Sequence, residues 1–81
     1  MFTEPVHPVL LHRVDRTRTM ARFYVLSVQP TLFGGMSLIR AWGRIGASGQ
    51  AKIETFDQQS DALNAFARLE RTKRRRGYAD R

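Results

Sequence analysis

Three consecutive segments of this chain alternate in side-chain character with a period of two, and only short turns separate them. The segments are residues 21–29, 37–46 and 50–56. Pro30 ends the first, because proline cannot donate to a strand ladder, and Gly46 with Gly49 allows a tight second connection. Strands joined by such short connections pair antiparallel. The sequence therefore predicts an antiparallel sheet of four or five strands in meander order, with residues 9–15 added as a further strand.

A later segment changes to the 3.6-residue period of a helix with one buried face. The apolar positions that follow this spacing are Ala62, Leu63, Ala65, Phe66 and Leu69. We expect Asp57 to cap the start, the helix to run from about residue 58 to 75, and Gly77 to follow its end. One helix covers one face of a sheet, so the predicted fold class is α+β, with Phe66 in the core.

The segment 21–29 carries apolar side chains on both faces of its predicted strand. Phe23 and Val25 project to one face, and Tyr24 and Leu26 project to the other. This pattern predicts a central strand that is covered on both sides. Aromatic side chains in such a strand are expected to be core residues, in preference to a platform on which nucleic-acid bases stack.

The next segment contains the tryptophan of the chain between two arginines of the same parity. The residues on its side of the strand are Leu38, Arg40, Trp42 and Arg44. The opposite face, which carries Ile39, Ala41, Gly43 and Ile45, is small and apolar, and we expect it to be buried. Gly43 leaves the strand bare behind the tryptophan, which indicates a close approach of another group there, or a bulge.

Length and composition limit the chain to one modest domain. Eighty-one residues bury a thin core, and Pro5 and Pro8 predict a flexible arm over residues 1–8, followed by a single domain over 9–81. The absence of cysteine excludes disulfides and thiolate zinc sites. With neither an apolar run of membrane-spanning length nor a secretory signal, a soluble, cytoplasmic protein without membrane contact is expected.

Positive charge is the most informative bulk property. The chain has fourteen Lys and Arg against seven Asp and Glu, a net charge of +7, and all its cations except Lys52 and Lys73 are arginines. Guanidinium groups bind phosphate bidentately, so this excess favours a polyanionic partner over general solubility. Five cations occupy six positions at the predicted helix end: Arg71, Lys73, Arg74, Arg75 and Arg76. One or two would complement the helix dipole, whereas five favour a binding surface.

Nothing in the sequence predicts catalysis, a metal or a cofactor. The serines lack an oriented base, His7 and His12 have no ligands at metal spacing, and the carboxylates are isolated. On the strand, Arg40 and Arg44 would span about 13 Å around Trp42, which suits contact with a nucleic-acid backbone or a strand end. The alternative is a protein–protein interaction or adaptor module, because Trp and Arg are favoured at either kind of interface.

An ordered set of residues also resembles a known family, the WGR domain of poly(ADP-ribose) polymerases and of stand-alone bacterial proteins. The resemblance rests on Trp42-Gly43-Arg44-Ile45-Gly46, Gly49-Gln50, Phe56, Ala62, Phe66, Lys73 and Gly77-Tyr78. It implies an antiparallel sheet with one helix, and a module that touches the terminus of broken DNA and relays contacts to neighbouring domains.

The resemblance also implies roles for individual residues. Trp42 matches the tryptophan that packs near the DNA end, Arg44 the arginine of interdomain or DNA contact, and Lys73 a helix lysine near the backbone. No catalytic domain accompanies the motif in these 81 residues, so ADP-ribosylation does not carry over. We expect a bacterial, nucleoid-associated protein whose DNA-binding residues are Arg40, Trp42, Arg44, Lys73, Arg74, Arg75 and Arg76.

Overall fold

The computed structural model describes residues 7–81, so most of the arm predicted for residues 1–8 lies outside the described residues. The elements are β1 (Val9–Asp15), a 3-10 turn (Arg16–Arg18), β2 (Met20–Pro30), β3 (Met36–Arg44), β4 (Gln50–Phe56), α1 (Gln59–Arg75) and β5 (Ala79–Asp80). The strands form one sheet in the order β4-β3-β2-β1-β5, with antiparallel pairing throughout. The α+β fold class, the meander order and the C-terminal helix are confirmed.

Local hydrogen bonds fix the loop between β2 and β3. The Thr31 hydroxyl accepts from the backbone N–H groups of Phe33 and Gly35, at 3.3 and 3.0 Å, and the Thr31 N–H donates to the Gly35 carbonyl at 2.9 Å. Gly34 has a φ of 90°, which a residue with a Cβ adopts only under strain. The loop therefore presents its two central side chains, Leu32 and Phe33, in a defined conformation.

The two ends of α1 differ in how well the sequence predicted them. The prediction that Asp57 caps the helix is wrong: the first intrahelical bonds go to the Gln58 carbonyl, from the N–H groups of Asp61 and Ala62, so Asp57 lies one residue too early. The predicted C-terminal glycine is confirmed. Gly77 has a φ of 101°, and the Tyr78 N–H donates to the Lys73 carbonyl at 3.1 Å, as in a Schellman motif.

The core lies between α1 and one face of the sheet. Its buried residues are Leu11, Tyr24, Leu26, Val28, Leu38, Ala62, Ala65 and Phe66. Phe66 is 7% exposed, so its predicted place in the helix-sheet core is confirmed. No other element among residues 7–81 packs on the opposite face, which we call the open face. The prediction that the central strand is covered on both sides is therefore wrong, and Phe23 and Val25 are only half-buried.

The face of β3 that packs in the core is also the opposite of the predicted one. Leu38, on the tryptophan side, is 1% exposed, whereas Ile39 is half-buried on the open face. The helix starts beside the Met36 end of β3 and ends beside Trp42. Leu38 therefore lies under the helix, whereas Arg40 and Arg44 lie at or beyond its C-terminal end. The close approach predicted at Gly43 is confirmed, because a Cβ there would lie 2.7 Å from the Gly49 Cα.

Candidate nucleic-acid interface

Strand register places two rows of side chains at the C-terminal end of α1, on the helix side of the sheet. In the inner row Tyr24 of β2 lies opposite Trp42 of β3. In the outer row Arg13 of β1 lies opposite Arg22 of β2, which in turn lies opposite Arg44 of β3. Directly opposite residues project to the same face, so the arginine row borders the aromatic row.

The inner row is part of an aromatic cluster. The Trp42 and Tyr24 rings stack with centroids 6.1 Å apart and planes inclined by 21°. Tyr78 meets Tyr24 edge-on, with centroids 6.0 Å apart and an interplanar angle of 68°. The Schellman motif positions Tyr78, because it returns the chain to the sheet directly after the helix. Trp42 and Tyr78 are half-buried and Tyr24 is buried, so the cluster joins the core to the surface.

Two cations lie against these rings. The Lys73 ammonium is 4.5 Å from the Tyr24 ring centroid and 5.7 Å from that of Tyr78. The Arg40 guanidinium carbon is 5.8 Å from the Trp42 centroid. Both distances to the nearest ring are in the range of cation–π attraction. Among the described residues no acceptor pairs with the buried Nε of Arg40.

Burial lowers the pKa of Lys73, and the neighbouring charges of Arg76 and Arg40 lower it further. Burial acts against the ammonium form because it removes hydration, while the two arginines repel it. The rings of Tyr24 and Tyr78 offset part of this cost. The negative charge of an anion held beside Lys73 would raise its pKa and favour the charged form.

These side chains surround an open groove of about 470 Å³. Its lining is Arg22, Tyr24, Trp42, Gly43, Arg44, Lys73 and Tyr78, and Arg40 adjoins it in a smaller recess beside Tyr24, Trp42 and Lys73. The structure thus brings together four of the seven predicted site residues. The sequence reasoning did not include Arg13, Arg22, Tyr24 or Tyr78, whose membership follows from cross-strand register and from the return of the chain after the helix.

The outer row places like charges side by side. Arg22 and Arg44 are exposed, and Arg13 lies at the helix end, where a Cβ on Gly77 would be 3.4 Å from its Nε. None of the ion pairs within residues 7–81 includes these three arginines. Like charges directly opposite one another destabilise a sheet. A bound anion would relieve that repulsion.

Comparison with known proteins assigns the fold to a family. The family model described as WGR domain matches residues 7–81. The chain belongs to the WGR domain family. WGR domains are binding domains of the nucleic-acid-binding type, which agrees with the basic and aromatic groove.

One curated relative of this WGR domain is the uncharacterized protein y4dW of Sinorhizobium fredii (strain NBRC 101917 / NGR234). The two are 44% identical over 81 residues, which cover all of this chain and 39% of the relative. The chain thus spans about two-fifths of the length of that relative. No solved structure matches the chain significantly. Within residues 7–81, no helix has the length and apolar character needed to cross a membrane.

The basic helix end of this WGR domain divides into residues with different surroundings. Arg74 forms ion pairs with Glu70 at 3.0 Å and Asp80 at 2.7 Å, and its pKa is raised, chiefly by the hydrogen bond to Asp80. Arg75 and Arg76 are exposed. Arg74 therefore connects the helix to the last strand, whereas its two neighbours extend the positive surface beside the groove.

A second feature of this WGR domain lies at the other end of the sheet. Leu32 and Phe33, at the tip of the loop between β2 and β3, are each 96% exposed. The sequence predicted a turn there and assigned these two residues no role. These two adjacent apolar side chains, exposed in a hydrogen-bonded loop, form a small apolar patch that we call the apolar tip.

Proposed function

We propose that this WGR domain binds DNA non-enzymatically through the groove at the C-terminal end of α1, with little sequence specificity. The support comes chiefly from strand register, which sets the arginine row Arg13–Arg22–Arg44 beside the Tyr24–Trp42 stack. Arginines contribute affinity for phosphates, and an aromatic edge between them packs on a sugar or a base. Four of the predicted site residues, Arg40, Trp42, Arg44 and Lys73, belong to this surface.

The geometry suits a nucleic-acid backbone. Arg13 and Arg44 are two strand spacings apart, about 10 Å, while Arg40 and Arg44 are about 13 Å apart along β3. Phosphates that enter the groove would meet Arg22 and Arg44 first and Lys73 and Arg40 at its base. They would offset the repulsion within the arginine row, and a small shift of Arg40 would give its buried Nε an acceptor.

A preference for strand ends follows from the half-buried position of Trp42. Its stack on Tyr24 leaves only part of the indole accessible, so it can cap a terminal sugar or base without entering a continuous duplex. Helix α1 packs against the sheet and only its end borders the site, so this arrangement presents no helix that could enter the major groove. Backbone contact and shape recognition are the proposed mode.

Arg75 and Arg76 widen the electrostatic footprint, and Arg74 contributes less because two carboxylates neutralise it. The proposal needs no cofactor and no metal. A cytoplasmic, nucleoid-associated location in a bacterium belongs to the same proposal, because that is where a DNA-binding module of this kind would act.

A titration of fluorescein-labelled DNA followed by anisotropy tests the proposal. Nicked, blunt-ended and single-stranded DNA of equal length would be compared at two salt concentrations. We expect tighter binding to the nicked duplex, which has additional strand ends at the nick, than to the blunt-ended duplex of equal length. We also expect a fall in log K with log salt concentration of about 0.9 for each phosphate that the protein neutralises. Absence of binding to all three DNAs at low salt would contradict the proposal.

A second candidate function is a protein-interaction or adaptor module, and the apolar tip specifically favours it. The loop that carries Leu32 and Phe33 begins about 26 Å along the strands from the Arg22–Arg44 pair, so these two side chains are too far away to join one compact DNA contact. Their preformed loop would lose little conformational entropy when it docks in an apolar cleft of another protein. An affinity for a partner protein that is insensitive to salt and is abolished in the variant Leu32→Ser/Phe33→Ser would favour this function over DNA binding.

A further inference from the structure

The two edges of the sheet differ in whether a further strand pairs with them. At one edge β5 pairs with β1 through Leu11 opposite Asp80 and His12 opposite Ala79. At the other edge β4 pairs with β3, and no further strand among residues 7–81 pairs with β4. Six of its seven residues are exposed, and only Phe56 is half-buried. An edge strand of this length presents a row of N–H and C=O groups that another strand can pair with.

The two charged side chains of β4 lie on either side of its central residue and are of opposite sign. Ile53 is the fourth of the seven residues and is 63% exposed on the open face. Lys52 precedes it and Glu54 follows it, and both project to the helix side. The strand carries no net charge, although the chain carries +7. It also contains neither proline nor glycine, the residues that interrupt a strand ladder.

We propose that two copies of this chain associate through their β4 edges, antiparallel and centred on Ile53. A twofold axis through that position places Ile53 opposite its equivalent in the second copy. It also places Lys52 opposite Glu54 of the second copy, and Glu54 opposite Lys52 of the second copy. Opposite charges that face each other across antiparallel strands stabilise the pairing, and the twofold axis makes the two Lys–Glu pairs equivalent.

Among the residues that the structure describes, these two charges lack oppositely charged neighbours. The residue opposite Lys52 on β3 is Arg40, a like charge, and the residue opposite Glu54 is Leu38. Neither Lys52 nor Glu54 belongs to an ion pair within residues 7–81. A second β4 would bring a carboxylate to the free side of Lys52 and offset the repulsion from Arg40. The two charges of β4 are thus better matched to a second β4 than to the residues opposite them on β3.

The helices leave room for this arrangement. Helix α1 lies against β2, β3 and β4, so its axis runs over β3. In the dimer the two axes would be three strand spacings apart, about 14 Å, which exceeds the roughly 8–10 Å of helices in contact. The two five-stranded sheets would become one continuous sheet, with both helices on one side and both open faces on the other.

Charge reversal tests the register by sedimentation equilibrium over roughly 1 μM to 1 mM protein. Lys52→Glu and Glu54→Lys each replace two attractive pairs with two repulsive ones, so each should raise the dimer Kd at least about tenfold. The double variant Lys52→Glu/Glu54→Lys restores opposite charges and should return the Kd to within about threefold of the original. Arg71→Glu is the matched control for Lys52→Glu: it makes the same charge change on an exposed helix residue and should leave the Kd unchanged.

Cross-linking provides an independent readout, because the natural chain has no cysteine. With oxidised glutathione as the oxidant, Ile53→Cys should form a disulfide-linked dimer, since residues directly opposite each other are within disulfide reach. Ala51→Cys should not, because residue 51 faces Thr55 of the second copy. A monomer throughout the concentration range, a dimer unaffected by the single charge reversals, failure of the double variant to restore association, or equal cross-linking at positions 51 and 53 would each overturn the proposal.

Discussion

The indole of Trp42 stacks on the ring of Tyr24, its direct cross-strand neighbour, with centroids 6.1 Å apart and planes inclined by 21°. Tyr24 is 4% exposed, so one face of the tryptophan rests on the core while part of its edge reaches the groove. The tryptophan is consequently held in one orientation by packing. It is neither a free platform on the surface nor a fully buried core residue.

Truncation of this tryptophan is expected to weaken binding to strand ends more than binding to continuous duplex. Stacking of a base on an aromatic side chain is worth about 1–3 kcal/mol, so Trp42→Ala should reduce end affinity roughly five- to 150-fold. Anisotropy with nicked and uninterrupted DNA measures the difference. Trp42→Phe, which keeps an aromatic ring, should lose much less, and an equal loss on both DNAs would contradict an end-capping role.

Neutralising the arginine row is expected to weaken binding and stabilise the fold. Arg22→Gln and Arg44→Gln should each lower the salt slope by about 0.9 for each phosphate that the variant no longer neutralises. Because Arg22 lies between two other arginines, its removal should also raise the melting temperature slightly. Arg68→Gln, a change of the same charge on the exposed side of the helix, is the control. A salt slope equal to that of the control would remove the row from the interface.

Lys73 is expected to contribute to binding at the expense of stability. Its pKa lies below the usual 10.5, chiefly through burial, so the charged form is disfavoured in the folded state. The unfolded chain therefore binds this proton more readily, and the unfolding free energy should rise as the pH increases toward 10.5. Lys73→Met should remove that rise, keep or increase the melting temperature, and weaken DNA binding. Lys52→Met, which removes an exposed lysine outside the groove, is the control variant for DNA binding.

The ion pair between Arg74 and Asp80 is expected to stabilise the position of β5 against the C-terminal end of the helix. The hydrogen bond from Arg74 lowers the pKa of Asp80 below 3.8. The contribution of this ion pair to the unfolding free energy is therefore present above pH 3.8 and is lost as the pH falls through the lower pKa of the folded state. Hydrogen exchange of the Arg81 amide, which donates to the Leu10 carbonyl, measures this attachment. Arg74→Gln should accelerate that exchange at neutral pH, whereas Arg75→Gln should not.

Truncation of Phe66 is expected to unfold most of the protein. It is the largest apolar side chain of the buried helix face, and Phe→Ala in a core costs about 3–5 kcal/mol, against a total of roughly 4–12 kcal/mol for a domain of this size. Urea denaturation measures the loss. Asn64→Ala, on the exposed side of the same helix, should change stability little, and a small effect of Phe66→Ala would place the core elsewhere.

Sequence alone determined the elements and their order, because hydrophobic periodicity and turn residues are local properties. The alternation of residues 21–29, 37–46 and 50–56 was enough to predict a meander. The apolar positions at helical spacing around Phe66 were enough to predict one helix. Gly77 marked the helix end correctly because a left-handed position there needs no tertiary contact. Asp57 failed as a cap because the identity of the capping residue depends on where the chain leaves β4, which a propensity does not specify.

Only the tertiary structure decided which face of β3 is buried and which side chains meet at the groove. Both faces of that strand carry apolar residues, so periodicity could not distinguish Leu38 from Ile39, and the choice followed from the side on which α1 packs. The contact of Lys73 with Tyr24 joins residues 49 positions apart in the chain. The row Arg13–Arg22–Arg44 depends on the pairing register of three strands. Such positions are set by long-range packing, and a shift of one residue in register would send each of these arginines to the open face.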